Sequence, residues 1–136
     1  MSNLNSFSIL DQLIAFDTTS YKSNLNLITY VKNLFEANGI CVQLNFNDEQ
    51  SKANLLATVG PTDQPGILLS GHSDVVPVDG QAWDYPAFST TIKDGNIIGR
   101  GTADMKGFLA CAIYAMLKAS KMQLQRPLHL CISYDE

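Results

Sequence analysis

Apolar residues recur every three or four positions along the first part of the chain, and then the period shortens to two. Residues 6–16 (SFSILDQLIAF) bring Ile9, Leu10, Leu13, Ile14 and Phe16 close to one helical face, with Ser6 or Ser8 placed to cap the start. A polar break follows from Asp17 to Ser20. Residues 24–38 set Leu25, Ile28, Val31, Leu34 and Phe35 at helical spacing, and Gly39 supplies the left-handed position that ends a helix. Residues 40–46 (ICVQLNF) alternate apolar and polar, as a half-buried strand does. Residues 54–59 (NLLATV) predict a second strand, closed by Gly60-Pro61. The short apolar run 67–70 (ILLS), entered through Pro65-Gly66, predicts a buried central strand. A long non-helical stretch, 71–96, carries Pro77, Gly80, Pro86 and Gly95, and a loop of that length usually serves a function. Within its end, Asp94-Gly95 predicts a turn between Thr91-Ile92 and Ile97-Ile98, hence a small hairpin. Residues 107–119 (GFLACAIYAMLKA) predict an apolar helix buried nearly all round, and 128–134 (LHLCISY) a last strand. This order of elements predicts an α/β sheet with helices packed on its faces.

Composition narrows the partners. The chain has 136 residues, enough for one domain with a real core. Lys plus Arg is 9 against 13 for Asp plus Glu, a formal net charge of -4 with no basic run. That balance argues against a nucleic-acid or anionic-membrane surface, so neither partner is expected. No apolar run approaches the ~18 residues of a membrane span. The start lacks the basic and apolar regions of a secretion signal. Cys41, Cys111 and Cys131 are scattered and form no CxxC, which predicts neither a disulfide framework nor a thiolate zinc site. A reducing, cytoplasmic setting is expected. The chain stops at Tyr134-Asp135-Glu136, directly after a strand, where α/β enzymes place their chemistry. The expectation is therefore a fragment or a truncated product.

Three places hold polar groups just past a predicted strand or just before a helix. His72 projects from the end of ILLS, and Asp74 follows two residues on. A carboxylate that near can accept the second ring N–H of a metal-bound imidazole; the alternative is a hydrogen-bonded loop histidine with a turn aspartate. Asp104, in GRGTADMKG, stands just before the apolar helix, either as a functional carboxylate or as its N-cap. The stretch matches neither a phosphate loop nor a dinucleotide fingerprint. Asp135-Glu136 is either a solvated turn or the third acidic contribution. Together, one imidazole and two acidic positions can converge on a zinc, cobalt or manganese ion, and a spare carboxylate suits a general base. Other residues read as structural. Trp83, Tyr85 and Phe88 suit a loop anchor better than a substrate box. Arg100 and Lys106 suit pairing with backbone or acids, and His129 suits a place within a strand. Cys111 and Cys131 read as small core residues.

The segments SGHSDVVPVDGQAW, GRGTADMKGF and SYDE closely resemble the M20 family of zinc-dependent peptidases and deacylases. SNLNLITYVKNLF and KANLLATVGP resemble its N-terminal region, so the likeness runs from about Leu10 to Glu136. It implies a zinc-exopeptidase-like fold, a three-layer α/β sandwich with helices on both faces of the sheet. It implies that His72 ligates a metal ion and that Asp74 orients His72 from behind. Asp104 would bridge two metal ions and precede a cis peptide to Met105. Glu136 would be the general base that takes a proton from the bridging water and returns it to the departing amine. Two Zn2+ per complete site are implied, with Co2+ or Mn2+ as substitutes. The best-matching branch hydrolyses the N-acetyl amide of N2-acetyl-L-ornithine to acetate and ornithine, on the route to arginine. Other branches act on succinylated diaminopimelate or on dipeptides, and a non-catalytic truncated domain is the reading outside enzymes. A small N-acylated amino acid is the expected partner, and a homodimer the expected state of the complete protein. The family's remaining ligands and its lid and dimerisation domain lie outside these residues. With His72 and Asp104 alone as ligands, weak metal binding and little turnover are expected of this stretch by itself.

Overall fold

The computed structural model describes residues 4–136. The elements form where the apolar period places them. Helix α1 is Ser6–Ala15 and helix α2 is Leu25–Glu36, the latter closed through Gly39 at φ 72. Strands β1 (Cys41–Phe46), β2 (Ala53–Val59) and β3 (Ile67–His72) follow, then the hairpin β4 (Thr91–Lys93) and β5 (Asn96–Ile98). Helix α3 is Gly107–Ala119 and strand β6 is Leu128–Ser133. One cap differs from expectation. Asn5, rather than Ser6 or Ser8, caps α1: its side chain accepts from the Ser8 N–H at 2.9 Å while the Ser8 hydroxyl accepts from the Asn5 N–H at 3.0 Å. Ser8 serves as the third-residue half of that reciprocal box, a role the preceding asparagine makes available.

The main sheet runs β1-β2-β6-β3. β2 pairs antiparallel with both β1 and β6, while β3 pairs parallel with β6. Alternation sends Ala53, Leu55 and Ala57 of β2, with Leu130 and Ile132 of β6, to one face, where all are buried. Ile9, Leu13 and Ile14 of α1, Leu27, Ile28, Val31 and Phe35 of α2, and Leu109, Ile113 and Met116 of α3 join them in one core. The expected α/β sheet with packed helices is present. Within the described residues the helices cover a single face of it. The opposite face, carrying Leu56, Leu68, Thr58, His129 and Cys131, stays open, with Leu68 56% exposed.

Two expectations about burial need correcting. Cys111 is exposed and Cys131 half-buried, so neither is a core residue. Cys131 points to the open sheet face beside Leu56 and Ser70. Cys111 leaves the sheet-facing stripe of α3 and lines a surface groove with Phe7 and Ile97. Phe108 is exposed as well, so α3 is buried along a stripe and not all round.

Asn24 fastens helix to sheet. Its buried side chain donates to the Ala53 carbonyl and the Ser73 hydroxyl, both at 2.9 Å, and accepts from the Ala53 N–H at 3.0 Å. It thereby joins the start of α2 to the start of β2 and to the loop after β3. Replacing Asn24 with alanine strands a buried N–H and C=O of Ala53, and should cost about 2–4 kcal/mol. Denaturant unfolding of the variant checks this; a midpoint unchanged from the parent would contradict it.

Candidate metal centre

Each candidate residue is set by a different strand or turn. His72 is the last residue of β3, opposite Ser133 of β6. Its loop is held by the polar stretch after α1. Thr18 donates its hydroxyl to the Ser73 carbonyl at 2.6 Å, and backbone bonds run from Ser20 N–H to Val75 O (3.0 Å) and from Val75 N–H to Thr18 O (3.1 Å). The Ser20 hydroxyl donates to Asp74 Oδ2 at 3.1 Å. The polar break after α1 is thus the support of the Asp74 loop. Thr-Thr-Ser directly after an amphipathic helix was the signal available for it.

Asp104 lies in a wide turn, Thr102–Lys106, where it and Met105 leave helical geometry and their peptide bond is cis. The turn is entered through Gly101 at φ 84, and a Cβ there would lie 2.7 Å from the Val75 side chain, so only glycine fits. Asp104 does not cap α3; its carboxylate turns to His72 instead. Glu136 follows β6 by three residues, its neighbour Tyr134 donating N–H to Asn54 Oδ1 at 2.9 Å.

These elements bring His72, Asp104 and Glu136 together. His72 Nε2 is 3.0 Å from Asp104 Oδ1 and 4.0 Å from Glu136 Oε2. One donor atom from each of the three lies within 4.8 Å of the others. The His72 side chain is 12% exposed, whereas the carboxylates of Asp104 and Glu136 face the mouth of the cleft. Behind the ring, Nδ1 donates to the Asp74 main-chain carbonyl at 3.0 Å, and Asp74 Oδ1 sits 3.2 Å away. That oxygen is buried and has no well-aligned hydrogen-bond donor, and it lies directly behind the imidazole. With Nδ1 occupied, Nε2 is free to offer its lone pair toward the two open carboxylates. One imidazole nitrogen and two carboxylates fit zinc, cobalt or manganese, and the carboxylate behind the ring fits the support such ligands receive.

Burial alone would lower the His72 pKa. The Asp74 carbonyl, the Asp104 carboxylate and the fields of both acids outweigh it and leave the pKa above the ordinary 6.5. Without metal, the protonated ring stabilises the fold fully below pH 6.5, and that contribution is lost as pH rises through the raised value. Metal needs the neutral ring, so affinity should weaken about tenfold per pH unit below that value. Zn2+ titrations of the protein at several pH values check this; an affinity flat between about pH 8 and about pH 5 would contradict it.

The other singled-out residues are not among the three that converge on one another. Trp83 and Tyr85 anchor the long loop under cations: the Arg100 guanidinium lies 5.1 Å from the Trp83 ring and Lys93 Nζ 5.6 Å from the Tyr85 ring. Arg100 lines the cleft but pairs with the Gln81 side-chain amide, not with an acid. His129 Nδ1 meets the Thr58 hydroxyl across the strands at 2.8 Å. Lys106 is buried, its Nζ donating to the carbonyls of Leu13 (2.8 Å) and Phe16 (2.7 Å).

Comparison with known proteins places the chain in a family. The sequence profile described as Peptidase family M20/M25/M40 matches residues 68–136, from β3 to Glu136. The chain belongs to that family. The match takes in all four candidate residues. The chain is 41% identical over 132 residues to an acetylornithine deacetylase of Myxococcus xanthus, covering 93% of this chain and 34% of that protein. It is 39% identical to an acetylornithine deacetylase of Proteus mirabilis, covering 90% of this chain and 32% of that protein. The chain thus spans about a third of the length of these M20 relatives. Its fold matches an M20 family metallo-carboxypeptidase from Sulfolobus solfataricus at TM-score 0.81 and 23% identity, covering 98% of this chain and 31% of that one. It also matches human carnosine dipeptidase 1 at TM-score 0.79 and 22% identity, covering 94% and 31%. Among the described residues no helix is long and apolar enough to cross a membrane.

Proposed function

We propose that the protein is a divalent-metal amidohydrolase that removes the acetyl group of N2-acetyl-L-ornithine, releasing acetate and ornithine toward arginine. The convergence of His72, Asp104 and Glu136 at one cleft carries the reading. The choice of substrate is supported by the identity to the two acetylornithine deacetylases. His72 and Asp104 would hold metal, and Asp104, with two carboxylate oxygens, would be shared between two ions. Zinc is the expected metal, with cobalt or manganese as substitutes. When bound, such an ion supplies Lewis-acid polarisation of the acyl carbonyl and acidifies water at neutral pH.

The chain's own residues do the rest. Asp74 and its carbonyl hold His72 in one tautomer and orientation. Glu136 accepts a proton from the attacking water as the new C–O bond forms. It then passes that proton to the α-amine as the C–N bond breaks. The residues C-terminal to Glu136 in the relatives would supply further ligands and the lid, so this stretch is the N-terminal portion of a catalytic domain. By itself it should hold metal weakly and turn over little. A homodimer in the cytoplasm is the proposed setting, the latter resting on three unpaired cysteines.

The test is acetate release by the natural gene product carrying this sequence, supplied with Zn2+ and N2-acetyl-L-ornithine. Metal-dependent release supports the reading. Hydrolysis of a succinylated or dipeptide substrate in its place would move the protein to another branch of the family, and no hydrolysis with any of these substrates would overturn the enzyme reading.

A further inference from the structure

Lys52 precedes β2, well away in sequence from every candidate residue, yet its ammonium joins the two flanks of the cleft. Nζ donates to the Ser20 carbonyl at 2.6 Å and to Asp135 Oδ1 at 2.9 Å, and lies 5.9 Å from the Tyr134 ring centre. Ser20 is the residue whose hydroxyl holds Asp74, the support of His72. Asp135 is the residue before Glu136. The base of the lysine is itself fixed: Asn47 Oδ1 accepts from the Lys52 N–H at 2.9 Å, and the Asn47 N–H donates back to the Lys52 carbonyl at 3.0 Å. The Lys52 side chain is only 16% exposed, while that of Asp135 is 54% exposed.

Glu136 needs such a restraint. β6 ends at Ser133, and the next three residues leave the sheet. The Glu136 side chain is 70% exposed, so nothing around it packs it into place. A general base must nevertheless sit within hydrogen-bond reach of the proton it takes, and small displacements cost rate steeply.

Resting on the reaction proposed above, we propose that Lys52 is a positioning residue for Glu136. It clamps the Asp135 carboxylate to the Ser20 carbonyl, and so fixes the distance between the base on one side of the cleft and the His72–Asp74 pair on the other. It touches neither substrate nor metal. An ion pair with one partner half in solvent adds little to folding, so its loss should show in position more than in stability.

Two measurements test this. In this 136-residue chain, amide hydrogen exchange reads the clamp directly, because the Tyr134 N–H is protected by Asn54. Lys52→Met should speed exchange at Tyr134 about tenfold while Ile113 and Met116 in α3 keep the parent rate. In the natural gene product, Lys52→Met should lower kcat about 10- to 100-fold with KM within about twofold. Asp135→Asn should give the same loss, and the double variant no further loss, since both break one contact. Unchanged exchange at Tyr134, an unchanged kcat, or losses that add in the double variant would overturn the proposal. If the parent itself shows no turnover, the proposed reaction falls and the exchange measurement alone decides the role of Lys52.

Discussion

Lys106→Met should cost about 2–4 kcal/mol, a large share of the stability of a domain this size. Lys106 is fully buried, and its ammonium donates to two carbonyls at the end of α1, those of Leu13 and Phe16, each of which also accepts one backbone N–H, from Phe16 and Thr18 respectively. A cation is well placed there, against the negative end of the helix. Methionine fills the volume of the stem but removes both charge-assisted hydrogen bonds, leaving each carbonyl its backbone N–H alone. The loss also has a pH signature. Burial, opposed in part by Asp17, brings the Lys106 pKa from 10.5 to about 8. A folded pKa below the unfolded one means that the unfolded chain binds more protons between those values, so stability rises with pH across that window. The gain attributable to this group is about 3 kcal/mol by pH 10.5. Denaturant midpoints of parent and variant at about pH 7 and about pH 10 check both claims. The gap between the two proteins should widen with pH. A variant as stable as the parent at both values would show that the buried amine contributes nothing.

On the reaction proposed above, Glu136→Gln should lower turnover of N2-acetyl-L-ornithine about 10²- to 10⁴-fold while leaving metal uptake near the parent level. The amide keeps the shape of the side chain but cannot accept the proton of the attacking water. His72 and Asp104 are untouched and remain 3.0 Å apart. Kinetics and metal analysis on the same preparations check this. Loss of metal in step with activity would make Glu136 a ligand and not a base. Full activity would remove it from the chemistry altogether.

Much of this architecture was legible in the residues. The two amphipathic helices, the hairpin at Asp94-Gly95 and the helix at 107–119 depend on local periodicity and turn chemistry, which a linear pattern carries. His72, Asp104 and Glu136 stood out because each follows a strand or precedes a helix, and strand ends in α/β sheets share one side. What stayed hidden depends on pairings distant in sequence. The Asp17–Ser20 stretch showed only as a polar break because its partners, Ser73 to Val75, lie more than fifty residues on. Lys106 does pair with backbone, as its setting suggested, but its acceptors belong to α1, some ninety residues away, and could not be named from the sequence. Cys111 and Cys131 looked buried because they sit in apolar runs; which face of the sheet has helices over it cannot be read from a run.

The order of the strands carries a consequence for how the protein is made. β6, the last of these four strands to leave the ribosome, occupies an interior position between β2 and β3. Until Leu128–Ser133 has emerged, β1 and β2 form a hairpin with one bare edge, and β3 has no partner at all. The halves of the metal centre are separated in the same way, since His72 takes its place only when β3 pairs with β6. The nascent chain therefore cannot assemble this sheet progressively from its N-terminus. It must hold unpaired strand edges open in the crowded space outside the exit tunnel, and these four strands join only when β6 inserts between β2 and β3.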